Sequence, residues 1–432
     1  MRRSLALVPL LLLAALPAAT EAAPLAHHEV LPNGIRLLVA PRPAIPIVAL
    51  RVYLRAGSVV DPPDAFGLAN LTAELLTRGT AKRTGPELDR AIEFVGGSLE
   101  ADAGRDGMTV SLAVLKKDLD LGLDLVAEAL LAPAFPEDEL KRKVADIQAS
   151  LQRSEQEPEA VVGRVLGQLL YPGHPYAHPV AGTIESVAKL AREQVVRFHR
   201  EHYRPDAAVI AVVGDVTVDE IRQALLRRLG GWSASTDALA VVPRAPASTP
   251  AMTRTIKREL TQATVYLGRP GIGHHDPDYF PLLVANYILG GGSASRLYTR
   301  VREERGLAYS VYSSLGPGRY GASYVVSLQT RLDAVDEAVR LVKEEMTRMG
   351  RTAVEARELS LAKAYLIGSF PLRLDTSRKV ADLLIGIEEY GLGLDYPDRF
   401  KAEIAKVTAA DVQRVAARYM DPATFSSVTV GK

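Results

Sequence analysis

The chain has 432 residues, 47% of them apolar, which is enough material for more than one hydrophobic core. Its 52 lysines and arginines nearly cancel its 51 aspartates and glutamates, so no strong net charge indicates nucleic acid or an acidic membrane as a partner. The sequence contains no cysteine, which excludes disulfides, thiolate-bound metals and cysteine nucleophiles.

The N-terminus has the pattern of a secretory signal peptide. Arg2 and Arg3 precede an apolar run over residues 5–16, and small residues follow that run. The run contains Pro9 and is shorter than the roughly 20 residues that a membrane-spanning helix needs. We therefore expect residues 1–23 to be removed, leaving a mature protein without a membrane span.

Two β-rich runs open the mature chain, at residues 34–41 and 45–59, and we expect these strands to pair with each other. Leucines at three- and four-residue spacing then predict a helix over residues 65–76 that packs on a sheet. The same patterns predict further elements in this half: a strand pair within 97–115, a strand over 208–215, and helices over 85–95, 119–131, 137–156, 160–170, 192–203 and 218–229.

An internal similarity indicates that the chain is duplicated. Residues 186–215 and 403–432 both pass from a helix that begins after Ala-Lys, through a tyrosine with proline close behind, to an apolar strand that ends in Val-Gly. Residues 233–250 are rich in Ala, Ser and Pro and are typical of a linker. We predict two tandem homologous α+β domains, 24–232 and 251–432, each a mostly antiparallel sheet packed with helices.

The segment GLANLTAELLTRGT, residues 67–80, resembles the zinc motif of the pitrilysin/insulysin (inverzincin) metallopeptidase family. Active members carry H-x-x-E-H here, with two histidines as zinc ligands and the glutamate as general base. The matching positions in this chain are Asn70, Ala73 and Glu74. Asparagine is a poor zinc ligand and alanine cannot accept a proton, so the resemblance implies a degenerate site.

The family's third zinc ligand is a glutamate on a later helix, which matches residues 136–159. Ser150 falls at that ligand position, and Lys143 falls at a neighbouring position that is acidic in active members. The resemblance therefore implies that this chain binds no metal itself and that zinc belongs to a partner subunit.

Other histidines offer an alternative metal site. His199 and His202 lie three residues apart on a predicted helix, with Glu201 between them. The repeated segment in the second half has no histidine, so we interpret this pair as part of a solvated helix face. The remaining histidines lack useful metal spacing: His27, His28, His174, His178, His274 and His275.

The run LGGGSASRLYTRVREERGLAYSVYS, residues 289–313, resembles the family's second-domain signature, with Arg302 seven residues before Tyr309. By resemblance, the arginine holds substrate backbone or a terminal carboxylate, and the tyrosine hydroxyl binds the carbonyl oxygen as negative charge develops. The alternative is structural: Arg302 pairs with Glu303 or Glu304, and Tyr309 packs in the core.

The resemblance covers nearly the whole mature chain and is strongest to the branch that includes the mitochondrial processing peptidase. It implies a non-catalytic, substrate-binding subunit that forms half of a clamshell with a homologous zinc-bearing subunit, as a heterodimer in the bacterial periplasm. Arg302 and Tyr309 would act there in trans. An edge strand within residues 96–115 would receive the peptide as an added strand.

Two other functions remain open from the sequence. The chain could be an inactive structural or peptide-binding homodimer. It could also be an autonomous metallopeptidase with an unconventional site that uses Glu74 and one of the histidines.

Overall fold

A computed structural model of the protein describes residues 24–233 and 241–431. The expected signal peptide and part of the expected linker lie outside the described residues. None of the helices in the described ranges is both long enough and apolar enough to cross a membrane.

The first sheet has six strands in the order β1-β2-β6-β3-β5-β4. Their bounds are His27–Val30 (β1), Arg36–Pro41 (β2), Ile47–Leu54 (β3), Ser98–Ala103 (β4), Met108–Leu115 (β5) and Ala208–Gly214 (β6). The predicted pairing of β2 with β3 is wrong, because β6 lies between them, parallel to β2 and antiparallel to β3. Every residue of β6 is buried, and its two partners come from the other end of the domain, which local periodicity does not reveal. The predicted pair of β4 and β5 is confirmed.

The second sheet has five strands in the order β7-β11-β8-β10-β9. Their bounds are Thr253–Ile256 (β7), Gln262–Pro270 (β8), Ala308–Gly316 (β9), Ser323–Arg331 (β10) and Ser426–Val430 (β11). The C-terminal strand β11 lies between β7 and β8, parallel to β7 and antiparallel to β8, as β6 lies between β2 and β3. Apart from β1, the two sheets have one topology, which confirms the prediction of two homologous α+β domains.

The helices of the first half agree with the predicted ones to within a few residues, apart from the short α6, which was not predicted. Their bounds are Leu68–Leu75 (α1), Gly85–Phe94 (α2), Leu119–Leu131 (α3), Glu137–Ser154 (α4), Pro158–Leu170 (α5), Ile184–Val187 (α6), Arg192–His202 (α7) and Val218–Leu229 (α8). The second half contributes Tyr279–Gly290 (α9), Val335–Arg351 (α10), Ala356–Ser369 (α11), Ser377–Tyr390 (α12), Tyr396–Lys406 (α13) and Ala409–Tyr419 (α14).

One helix of each half packs on the sheet of the other half. Helix α5 places Leu166 in a buried cluster with Val428 of β11. Helix α12 places Val380 and Leu384 in a buried cluster with Val209 of β6. The opposite face of each sheet carries helices of its own domain and the larger cores. This exchange joins the two halves by burying apolar surface, and such burial is the main stabilising contribution to the packing.

Candidate functional site

The helix that carries the degenerate motif, α1, begins at a buried carboxylate. Asp61 accepts hydrogen bonds from the backbone N–H groups of Gly67 and Ala69, both at 2.8 Å. Gly67 has φ of +96°, and a Cβ at this position would lie 2.7 Å from the carbonyl oxygen of Ala181. Asp61 therefore satisfies N–H groups at the start of α1 and fixes where the motif residues lie.

Asp61 should make the stability of the first domain depend on pH. Burial raises its pKa to about 7, although the two N–H donors act in the opposite direction. Because the folded pKa exceeds the unfolded value of about 3.9, this contribution to stability is complete below about pH 3.9 and is lost as the pH rises to about 7. We expect the free energy of unfolding to fall over that interval by up to about 4 kcal/mol through this group.

The variant Asp61→Asn, which stays neutral, should remove that part of the slope. Urea denaturation of both proteins between pH 4 and pH 7 measures the difference. Parallel pH profiles for the two proteins would contradict the assignment.

The motif residues themselves form a polar contact that involves a lysine. Asn70 Nδ2 donates to Glu74 Oε1 at 2.9 Å, and Lys143 Nζ of α4 donates to Glu74 Oε2 at 3.0 Å. The side chains of Lys143 and Glu74 are 23% and 30% exposed. Ala73 is completely buried. The carboxylate of Glu74 is thus already neutralised by an ammonium group.

These residues do not fit a zinc ion. A zinc site needs three or four nitrogen, sulfur or carboxylate ligands, whereas α1 offers one carboxylate beside a lysine. Ser150 is exposed on α4 and lies nearly two helical turns beyond Lys143. Across residues 24–233 and 241–431, no group of three or more His, Asp or Glu side chains is arranged to hold a metal.

The interpretation of His199 and His202 as a solvated helix face is wrong. His199 Nε2 lies 2.9 Å from the carbonyl oxygen of Leu130, and burial lowers the pKa of His199 to about 4. His202 packs against the ring of Phe198, and burial lowers its pKa as well. Helix α7 packs against the interior of its domain, so both imidazoles serve in packing.

The second-domain signature presents Arg302 and Tyr309 at the molecular surface. Residues Tyr298–Glu303 form a turn of π-helix, a form that is frequent at functional sites. The guanidinium carbon of Arg302 lies 4.6 Å from the ring centroid of Tyr298, a cation–π contact. The ring of Tyr298 is also near that of Tyr312 on β9, with centroids 6.3 Å apart.

A β-bulge explains the position of Tyr309. On β10, Gln329 pairs with Ser310 and the next residue, Thr330, pairs with Ala308, so Tyr309 is the extra residue of β9. Its side chain is 74% exposed. The alternative that Tyr309 packs in the core is therefore wrong.

Strands β4 and β9 are the edges of their sheets and occupy equivalent positions in the two domains. Helix α1, with the degenerate motif, packs against β4. On β4, Glu100 and Asp102 are exposed, and the strand pairs on one side only, with β5. An edge of this kind offers unpaired backbone N–H and C=O groups to an extended chain.

The structure does not join the two candidate regions within one chain. Arg302 and Tyr309 lie in the second domain, and none of the contacts described for them reaches α1 or α4. Sequence reasoning missed the role of Asp61. It lies seven residues before Leu68, the first residue of α1, whereas the sequence signal for a cap is a residue immediately before the helix.

Comparisons with known proteins support the resemblance. Residues 36–184 match the family described as "Insulinase (Peptidase family M16)", and residues 189–366 match "Peptidase M16 inactive domain". An uncharacterized zinc protease of Mycobacterium leprae is 30% identical over 351 residues, which is 80% of this chain and 78% of that protein. A non-peptidase homolog of Helicobacter pylori is 25% identical over 401 residues, covering 91% of this chain and 90% of that protein.

A solved structure shows the same fold. The crystal structure of a peptidase M16 inactive domain from Pseudomonas fluorescens matches with a TM-score of 0.89 at 28% sequence identity. The match covers 94% of this chain and 97% of that one.

Proposed function

The chain belongs to the M16 (insulinase) peptidase family as a non-catalytic member, and we propose that it is the substrate-binding subunit of a zinc-dependent peptidase complex. Arg302 and Tyr309 act in trans on peptides that are cleaved at the zinc of a homologous partner subunit. The observation that carries the proposal is the contrast between two regions: Glu74 is neutralised by Lys143, whereas Tyr309 projects from a bulge into solvent.

The chemistry of the exposed pair suits this role. A phenol hydroxyl can donate a hydrogen bond to the oxygen of a peptide carbonyl as that oxygen gains negative charge. A guanidinium binds carboxylate or carbonyl oxygens through a planar set of donors. Arg302 rests on the ring of Tyr298, which restricts its orientation and leaves its N–H groups for a ligand.

The edge strand β4 supports binding of an extended peptide. Pairing through the backbone holds a chain of almost any sequence, while neighbouring side chains add preference. Glu100 and Asp102 on this strand would favour basic side chains in the bound peptide.

Reconstitution tests the proposal. We place the complex in the periplasm. The purified chain is mixed with a zinc-bearing M16 protein from the same organism, and cleavage of an unfolded peptide is followed. We expect activity that neither protein shows alone. Arg302→Ala should lower kcat/KM of the complex by at least about tenfold, the typical worth of a charge-assisted hydrogen bond.

Arg340→Ala is the matched control, because Arg340 is an exposed arginine of the same domain that pairs with Glu344 on α10. Equal activity for the two variants would show that Arg302 does not bind the substrate in the complex.

An inactive, peptide-binding homodimer is the second candidate. The inactivity in this candidate is favoured by the relative in Helicobacter pylori, which is named as a non-peptidase homolog. Peptide binding without cleavage in the presence of the zinc-bearing protein would select this function.

A further inference from the structure

A cavity lies where the two domains and the linker meet. Its volume is about 650 Å³. It is lined by Arg55 directly after β3, Arg244 of the linker, Arg319 of the β9–β10 loop, and His274 and Tyr390 of the second domain. Three arginines therefore line one cavity.

One donor atom of the Arg55 guanidinium is unsatisfied. Its Nε is buried and has no hydrogen-bond partner within the described residues. Burial lowers the pKa of Arg55, and the nearby cations Arg319 and Arg36 lower it further. A buried N–H group without an acceptor is costly, and an anion bound beside Arg55 would offset the repulsion from Arg319 and Arg36. The Nδ1 atom of His274 in the same cavity is also buried without a partner among the described residues.

The loops that carry the other two arginines are held in place. The backbone N–H of Arg319 donates to Asp106 at 2.9 Å, and its guanidinium donates to the carbonyl oxygen of Glu389. The linker is held by the N–H of Ala245, which donates to the Tyr320 carbonyl at 2.7 Å. The site is thus largely preformed, which limits the entropy lost when a ligand binds.

The carboxylates around the cavity have other partners. Glu388 pairs with Arg36 at 3.0 Å, and Glu389 accepts from the hydroxyl of Tyr53. Burial raises the pKa of Glu389, although the hydrogen bond from Tyr53 and the nearby charges of Arg319 and Arg55 act in the opposite direction. Asp276 accepts from the backbone N–H of Asp278 at 2.8 Å. None of these three forms an ion pair with the arginines at 55, 244 and 319 among the contacts described.

We propose that this cavity binds a phosphate group, either as inorganic phosphate or as a phosphate monoester, through Arg55, Arg244 and Arg319. A tetrahedral dianion offers more charge and more acceptor oxygens than a single carboxylate, and arginine forks bind such oxygens in pairs. The volume also leaves room for an organic group beside the rings of Tyr320 and Tyr390.

Titration calorimetry on the isolated full chain tests the proposal, with sodium phosphate and then phosphoserine as probes at constant ionic strength. We expect saturable binding and a rise in Tm on addition of phosphate. Arg55→Gln and Arg244→Gln should each weaken binding by about tenfold or more, since each removes a charge-assisted contact. Tighter binding of phosphoserine than of phosphate would identify a monoester as the ligand.

Arg222→Gln, which removes an arginine from the surface of α8, is the control and should bind as the wild type does. Arg244 is exposed, so its variant should fold even where Arg55→Gln does not. No saturable binding, unchanged binding in Arg244→Gln, or equally tight binding of acetate would overturn the assignment. None of these measurements uses the zinc-bearing partner. Their outcome is therefore independent of whether the proposed peptidase role is correct.

Discussion

Replacing Tyr309 by phenylalanine is expected to lower kcat of the reconstituted complex by about 10²- to 10³-fold, with little change in KM. This is the usual loss when one donor to a developing oxyanion is removed. The variant keeps the ring and the bulge of β9, so peptide binding through the edge strand and through Arg302 persists. Because Tyr309 is 74% exposed, its hydroxyl has little role in the fold of the subunit.

Steady-state kinetics of the complex is measured with Tyr309→Phe and with Tyr312→Phe. The comparison shows whether the loss is specific to the hydroxyl of Tyr309 or follows removal of any exposed tyrosine hydroxyl on β9. Tyr312 is also an exposed tyrosine of β9, at 42%, and serves as the matched control. A loss of activity confined to KM, or equal losses in both variants, would show that Tyr309 does not stabilise the transition state.

Replacing Leu384 by alanine is expected to lower the free energy of unfolding by about 2–5 kcal/mol. Leu384 lies on α12, the helix of the second half that packs on the first sheet, and its side chain is fully buried. Truncation leaves a cavity beside Val209 of β6, at the contact that holds the two domains together. The loss should therefore appear in both domains and not in one alone.

Urea denaturation followed by circular dichroism measures this effect. Leu372→Ala provides the control, because Leu372 is 62% exposed in the same half and its truncation should change stability by no more than about 0.5 kcal/mol. A Leu384→Ala protein as stable as the wild type would mean that α12 contributes little to the first sheet.

The sequence predicted the local elements well because their signals are local. The leucine spacing of α1 and the other periodic segments of the first half placed the helices of that half, and the repeated segments at residues 186–215 and 403–432 indicated the duplication. The same local signals did not give the position of β6, since strand order depends on contacts between distant parts of the chain.

At the candidate site, the resemblance predicts that Asn70, Ala73 and Glu74 replace the zinc motif, because that motif depends only on residue type and spacing. Only the tertiary structure brought Lys143 against Glu74, since these residues lie on different helices. It also placed Tyr309 on a bulge, which periodicity cannot distinguish from a core position.

The exchange of α5 and α12 between the halves and the arginine cavity at their junction were likewise decided by tertiary structure. Arg55, Arg244 and Arg319 are far apart in sequence, and their local sequence does not distinguish them from exposed arginines. Only the fold brings them to one cavity. Residue identity and spacing thus determined the family, and they predict the loss of its metal ligands. Packing between distant segments decided which side chains lie on the same surface, because burial and the distances between charged groups depend on how the chain folds.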